Sequence, residues 1–404
     1  MKPGVPARAA ARRAVSRVLR SGAYSNLVVH GETRELPPRD AHLAQRLAYD
    51  TLRNLLRVDR TIQSASTRPL GKIQDDVLDT LRVGVNEVLF ARSKDHAVVD
   101  STVEVVRTIR PGAAGFCNAI MRAVVRDGEP PLPDGDEGAA LRVGQPRWIW
   151  TLLVDAWGRS EAEAFLEASQ RDAPRTVRLR TGGPSADLAP VAGIPGAYEV
   201  PPTGTVLDTM AVQDGASVAV GLALDPQPGD RILDLAAAPG GKALHAADRL
   251  DGQGVVVASD RHFRRVRSAV RRLEGSPIGW CVADGRTAPY RSDSFDRVLV
   301  DAPCTGLGTM RRRPEVRFRA VPTDPADLAV VQGRLLAEAL RIVKPGGLIV
   351  YSVCTVTPEE TIGTIDGMAV ETVTGLPGRS WGGGWLLAPH LTGTDGMFIT
   401  RIRG

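Results

Sequence analysis

The chain has 404 residues, 43% of them hydrophobic and 24% charged, with a formal net charge of +5. That is enough length and apolar content for two or three cored domains, and the positive balance fits a polyanionic partner. No run of 18 apolar residues occurs, which excludes a membrane span, and the Arg- and Ala-rich N-terminus lacks the apolar core of a signal peptide.

Residues 5–126 read as all helical. Ala9, Ala10, Val15, Val18 and Leu19 mark one apolar face, and Leu43, Leu47, Leu52, Leu55 and Leu56 a second. Val77, Leu78, Leu81, Val85, Val88 and Leu89 give a third, residues 98–109 a fourth, and Phe116, Ile120, Met121, Val124 and Val125 the last. Such faces pack as a bundle, predicted over residues 1–128. Arg8, Arg12, Arg13, Arg17 and Arg20 read mostly as a solvated face, with an RNA patch as the lesser reading. Residues 129–145 are linker-like in their Pro, Gly and acid content. Residues 146–206 suggest a small α+β module, with helices over 148–157 and 160–170 and a strand over 176–180.

From residue 207 onward the pattern predicts a doubly wound, Rossmann-like α/β domain ending at residue 404. Strands are expected at 232–235, 255–259, 279–282, 297–300 and 348–351, helices at 242–250, 263–273 and 326–343, and an edge strand at the C-terminus. After Ile232–Leu235 the turn Ala236-Ala237-Ala238-Pro239-Gly240-Gly241-Lys242 cannot continue a strand, because Pro239 has no N–H and the glycines favour other backbone angles. A helix follows, so unpaired N–H groups face a ligand or merely close a tight βα turn. Asp260 ends the next strand 20 residues after Gly240, an interval suited to a carboxylate that holds a ribose. The ligand reading then leads, toward an adenosine-bearing cofactor.

Later strands end in Asp284, in Asp301-Ala302-Pro303-Cys304-Thr305-Gly306 and in Tyr351-Ser352-Val353-Cys354-Thr355. In a doubly wound sheet these carboxyl-end loops converge on one crevice. Cys117 and Cys281 sit among apolar neighbours and read as core. Cys304 and Cys354 lie in turns beyond strand ends, where a nucleophile outweighs a buried spacer. No CxxC occurs, so zinc is not expected; four cysteines in so long a chain do not suggest a disulfide framework, and a reducing cytoplasm is the expected compartment.

These motifs resemble the RNA cytosine-C5 methyltransferases of the Sun (Fmu) type. The match runs through residues 234–242 and 301–306, Gly308, Arg311-Arg312, Pro314-Glu315, Lys344-Pro345-Gly346-Gly347, residues 351–355 and Pro358-Glu359-Glu360, with Val212-Gln213-Asp214 and Ala216-Ser217 before it. The N-terminal helices are similar to the NusB RNA-binding fold. The family often has cysteine at position 236, serine at 305 and 355, and threonine at 353. The resemblance implies S-adenosylmethionine as cofactor and RNA, most of all small-subunit (16S) ribosomal RNA, as substrate. It implies Cys354 as covalent nucleophile, Cys304 as the group assisting product release, and Asp301 as the holder of the cytosine near the cofactor. It also implies cofactor contacts from residues 236–242, Asp260 with the ribose and Asp284 with adenine. Asp284 could instead cap its own turn. Arg265 matches a recurring basic position, or is a surface arginine. Arg311, Arg312 and Arg313 suggest phosphate contacts.

A covalent thiol explains the chemistry, since carbon 5 of cytosine needs a nucleophile on carbon 6 before it can take a methyl group. The target base must be unstacked to be reached. The expected protein is a monomer with no metal and no membrane partner, its RNA bound across helical domain and crevice. The rival readings are a transfer-RNA methyltransferase, a non-catalytic RNA-binding or antitermination-like protein, and a dehydrogenase, which leaves two crevice thiols unexplained.

Overall fold

The computed structural model describes residues 4–91, 95–184, 186–201 and 204–404, and divides into two compact units. The first comprises Met1–Gln170 with Arg312–Arg319, and the second the rest of the chain.

The first unit is helical. Val5–Ser21 ends at Gly22, whose φ of 65° lets the chain turn away. Ser25–Thr33, Pro38–Arg53, Leu55–Ala65, Asp75–Phe90, Asp95–Ile109 and Ala114–Asp127 follow. Pro38 opens its helix, and Asp75 and Asp76 lie in the first turn of theirs, where acids suit the helix dipole. Leu81, Val85, Val106, Cys117 and Met121 form one core cluster, and Val15, Leu47 and Leu52 another.

The arginines of the first helix are held by acids of the same unit. Arg8 makes two bonds to buried Glu87, at 2.8 and 2.6 Å. Arg13 and Arg17 share Glu32, at 2.7 and 3.0 Å, and Arg20 reaches Asp75 and Asp79. Burial, and then its neighbour Arg13, lowers the pKa of Arg12. The expected solvated face is thus largely an ion-paired one.

Residues 129–145 contain a helix, Gly135–Arg142, where only a linker was expected. Arg57 pairs with Glu129, and Arg60 donates to the carbonyls of Pro130 (2.9 Å) and Pro131, fixing a stretch whose composition alone reads as loose. The helices Arg147–Trp157 and Arg159–Ala168 belong to this unit, whereas the strand expected in the same module falls in the other. Trp150, Leu153, Phe165 and Leu166 of these helices are buried. Arg312–Arg319 carries Glu315, which accepts the Ser25 N–H at 3.0 Å, and Arg317, which is fully buried and donates to the Gly144 carbonyl at 3.0 Å. Burial, with Arg53 nearby, brings the pKa of Arg317 down to about 9.

The second unit opens with β1 (Arg175–Leu179), β2 (Ala189–Pro190), β3 (Ala197–Val200) and β4 (Met210–Val212), an antiparallel sheet of order β2-β3-β1-β4. Asp214 then accepts the Ala216 N–H at 2.9 Å and caps the helix Gly215–Leu224. The main sheet consists of β5 (Arg231–Asp234), β6 (Val255–Asp260), β7 (Ile278–Val282), β8 (Phe295–Asp301), β9 (Val343–Val353), β10 (Val370–Glu371), β11 (Arg379–Trp381), β12 (Gly384–Leu387) and β13 (Met397–Arg403). Its order is β11-β12-β13-β9-β8-β5-β6-β7, with β10 pairing β13. β5 to β9 are mutually parallel, and Leu233 of β5 registers with Val257 on one side and Val298 on the other. The chain winds outward from β5 through β6 to β7, then returns to β8 on the far side, so β5 and β8 flank the switch point where such folds bind ligands. Helices Gly241–Leu250, Phe263–Arg272 and Asp324–Ile342 connect these strands.

The C-terminal strand is not the edge that its alternation suggested. β13 lies between β9 and β12, and Phe398, Ile399 and Thr400 are completely buried. The β11–β12 hairpin supplies its second neighbour, pairing antiparallel with β13 through β12.

Candidate active site

The glycine turn leaves β5 and enters the helix Gly241–Leu250 through Gly240, which has a φ of 99°. A Cβ there would lie 2.8 Å from Leu273 Cδ1 and 2.9 Å from Trp280, so both conformation and space require glycine. The Ala238–Pro239 bond is cis. At the end of β6, Asp260 is 3% exposed; its Oδ1 accepts the His262 N–H at 2.9 Å, and its Oδ2 faces Arg265 at 3.0 Å. Arg265 also donates to the Ala238 carbonyl, so one guanidinium joins the glycine turn to the acid of the neighbouring loop.

Asp284 accepts the backbone and side-chain N–H groups of Arg286 and caps the turn Gly285–Thr287. Those bonds, the side-chain ones first, hold its pKa down at about 2. The turn-capping reading of Asp284 therefore describes its contacts here.

At the end of β8, Asp301 receives Lys242 Nζ at 2.7 Å on Oδ2 and the Ser352 hydroxyl at 2.8 Å on Oδ1. Two strand ends and the first turn of the helix Gly241–Leu250 thus meet at one carboxylate. Burial acts to lower the pKa of Lys242, but Asp301 outweighs it and the ammonium is held above its ordinary range. Just beyond, Cys304 Sγ stands 3.4 Å from Cys354 Sγ. The hydrogen bond that the Cys304 thiol makes to Cys354, and then burial, push the Cys304 thiol well up.

The two sulfur loops are tied to each other beneath the thiols. The Thr305 and Thr355 hydroxyls meet at 2.7 Å, and the Gly308 N–H donates to the Cys354 carbonyl at 3.0 Å. Threonine thus keeps the hydroxyl that serine more often brings to positions 305 and 355. Buried Glu360 accepts from the Thr305 N–H (2.8 Å), the Thr305 hydroxyl (2.6 Å), the Thr357 hydroxyl (2.8 Å) and Gln332 Nε2 (3.1 Å).

Arg311 is a correction: it is 8% exposed and donates to the carbonyls of Gly393 (2.7 Å) and Asp172 (3.0 Å), so it braces loops and is not presented to a phosphate. Arg313 lies over the Tyr24 ring at 5.8 Å. Cys117 is fully buried, and burial pushes its thiol up to about 12. Elsewhere in the helical unit a groove of ≈ 510 Å³ is lined by Arg68, Lys72, Arg110 and Phe116, with Arg68 5.0 Å above the Phe116 ring. Among the described residues, neither Arg68 nor Lys72 has an ion pair, and no group of His, Cys, Asp and Glu could hold a metal.

Asp234 lay within the expected strand 232–235 and the motif 234–242, with no role at the site assigned to it. It is 1% exposed, its Oδ2 has no hydrogen-bond partner among the described residues, and burial, then Asp301, raises its pKa to about 8. A buried acceptor without a donor, beside Asp260 and an open glycine turn, fits a ligand with cationic and hydroxyl groups.

Paired thiols beside a nucleotide-type glycine turn suit an S-adenosylmethionine-dependent RNA cytosine methyltransferase. Residues 221–403 match the family model "16S rRNA methyltransferase RsmB/F", and residues 5–126 match the NusB family. The chain belongs to the RsmB/F family of 16S rRNA methyltransferases, with a NusB-type domain before the Rossmann-like one. It is 35% identical to a Mycobacterium tuberculosis protein named as a methyltransferase, over 100% of this chain and 97% of that one. The ribosomal RNA small subunit methyltransferase B of Klebsiella pneumoniae is 30% identical, over 100% and 99%. The crystal structure of PH0851 shares the fold, with a TM-score of 0.84 and 21% identity, covering 100% of this chain and 99% of that one.

Proposed function

We propose that the protein methylates carbon 5 of a cytosine in small-subunit ribosomal RNA through a covalent bond from Cys354. The observation that carries this is the 3.4 Å approach of two thiols at the carboxyl ends of β8 and β9, next to an acid held by Lys242. The Cys354 thiolate adds to carbon 6 of the ring, and the displaced electron pair makes carbon 5 nucleophilic. S-adenosylmethionine, when bound, supplies the electrophilic methyl group. Loss of the carbon-5 proton to a base then returns the electron pair and expels Cys354, a step that Cys304 assists. Asp301 holds the N3 and N4 edge of the cytosine, fixed by Lys242 and Ser352 on its two oxygens.

For the cofactor we assign the backbone of Ala236 to Lys242 to the methionine and ribose side, and Asp260 to the ribose hydroxyls. Arg265 keeps those two loops together. Asp284 meets the adenine amino edge by exchanging its contact with Arg286. The target cytosine enters unstacked, as covalent chemistry on a ring carbon demands. Residues 1–128 act as the RNA-docking domain, 129–145 and 146–206 join it to the catalytic domain of 207–404, and Arg68 and Lys72 are among its cations that meet phosphate. The enzyme works as a cytoplasmic monomer. Among the described residues, no helix is long and apolar enough to cross a membrane.

The test is methyl transfer from labelled S-adenosylmethionine to unmodified small-subunit RNA, transfer RNA and DNA. Label on the first alone is expected. Label on transfer RNA would move the substrate, and label on none would end the reading.

A further inference from the structure

The groups beneath the two thiols form a single hydrogen-bonded unit. Glu360 has no exposed surface, and every contact to its carboxylate oxygens comes from a donor. Burial pushes the Glu360 pKa up while the bonds from Thr305, Thr357 and Gln332 pull it down, and four donors on one carboxylate describe an ionised acid. Because the Thr305 hydroxyl gives its only proton to Glu360, the Thr355 hydroxyl must be the donor in the bond between the two threonines. One acid thus sets a chain of bonds that crosses from the loop of Cys304 to the loop of Cys354. Gln332 extends it, donating to the Pro303 carbonyl at 2.9 Å as well as to Glu360. Tyr351 closes it from β9, its hydroxyl 2.6 Å from the Glu360 carbonyl.

We propose that Glu360 is a positioning residue that fixes the spacing of the two sulfur loops and, as a buried anion, keeps Cys304 in its thiol form while Cys354 attacks. The proposal rests on Cys354 being the nucleophile. Two thiols this close cannot share that role, because a second thiolate beside the first is repelled. The groups that face Cys304 are Cys354, Glu360, Asp301 and the hydroxyl of Tyr351. The cation of the cluster, Lys242, lies on Asp301 and faces Cys354. The charges set around Cys304 are therefore negative, and Glu360 supplies one that is not itself placed against substrate.

The test uses the full chain with Cys354→Ser, which keeps a hydrogen-bonding partner for Cys304, and follows alkylation of Cys304 by iodoacetamide against pH. Adding Glu360→Gln removes the charge while keeping the size, and should lower the midpoint of that profile by about one unit. In the otherwise native chain, Glu360→Gln should lower kcat for methyl transfer at least about tenfold and leave KM for S-adenosylmethionine unchanged. An unmoved alkylation profile overturns the proposal. Should Glu360→Gln no longer bind S-adenosylmethionine, Thr305→Val and Thr305→Ser replace it. Serine should turn over like the native enzyme and valine at least about tenfold more slowly, and equal rates overturn the proposal. Failure of the native enzyme to form any adduct through Cys354 would instead remove the reading beneath it, whatever position 360 does.

Discussion

Gly308 and Cys354 are joined backbone to backbone: the glycine N–H donates to the cysteine carbonyl at 3.0 Å, from one sulfur loop to the other. A Cβ on Gly308 would stand 2.1 Å from the Gly396 carbonyl oxygen and 2.9 Å from that of Cys354. Backbone on two sides cannot yield as a flexible side chain would. Gly308→Ala should therefore cost about 1–3 kcal/mol of stability and lower kcat more than it raises KM for either substrate. Thermal unfolding and steady-state kinetics check both.

Arg265 should matter to the cofactor and not to RNA. Its guanidinium spans Asp260 and the Ala238 carbonyl, on the two loops proposed to hold S-adenosylmethionine. Arg265→Ala should weaken S-adenosylmethionine binding about tenfold, with KM for RNA little changed. Lysine should not restore it, since one ammonium cannot reproduce the planar fork. Calorimetric titration with the cofactor decides the point.

Asp234 gives a pH signature in the free protein. Its folded pKa, raised to about 8 by burial and then by Asp301, lies above the ordinary carboxylate value. The folded state thus keeps a proton that the unfolded chain gives up near pH 4, and stability is lost as pH rises from there to about 8. Asp234→Asn removes this loss. The Tm of the variant minus that of the native chain should grow between about pH 4 and pH 8 and then level off, as scanning calorimetry would record.

Thiol reactivity should separate by site. Burial places Cys117 at about 12, and Cys304 is held well above an ordinary thiol by its hydrogen bond to Cys354, followed by burial. At pH 8 both should react with iodoacetamide at least tenfold more slowly than free glutathione. Peptide mass spectrometry over a time course gives the rates.

Much of this was legible in the sequence, for physical reasons. β5, β6 and β8 are short apolar runs, and the acids Asp260 and Asp301 at the ends of β6 and β8 located strand and site together, whereas Asp234 of β5 went unassigned. The cysteine loops were legible because turn residues surround a thiol just past a strand. Partnership was not legible. Nothing local tells that Arg8 is taken by Glu87, 79 positions away, or that Arg311 serves the Gly393 and Asp172 carbonyls and not a phosphate. The placement of Arg312–Arg319 with the helical unit rests likewise on Glu315 and Arg317 finding Ser25 and Gly144. Pro358-Glu359-Glu360 stood out as a motif, yet only the fold shows that the second glutamate reaches Thr305, 55 positions back. β13 was misplaced at an edge because the hairpin Arg379–Trp381 and Gly384–Leu387 that pairs with it had not been recognised as strand.

The central claim is that the sulfur of Cys354 bonds to the target cytosine. It is tested most directly by incubating Cys304→Ala with small-subunit RNA and S-adenosylmethionine, digesting the product and mapping the nucleotide adduct by mass spectrometry. The account predicts a stable adduct on the peptide carrying Cys354, absent from Cys354→Ala. An adduct on Cys304 in the Cys354→Ala chain, or a Cys304→Ala enzyme that turns over freely without one, would contradict it.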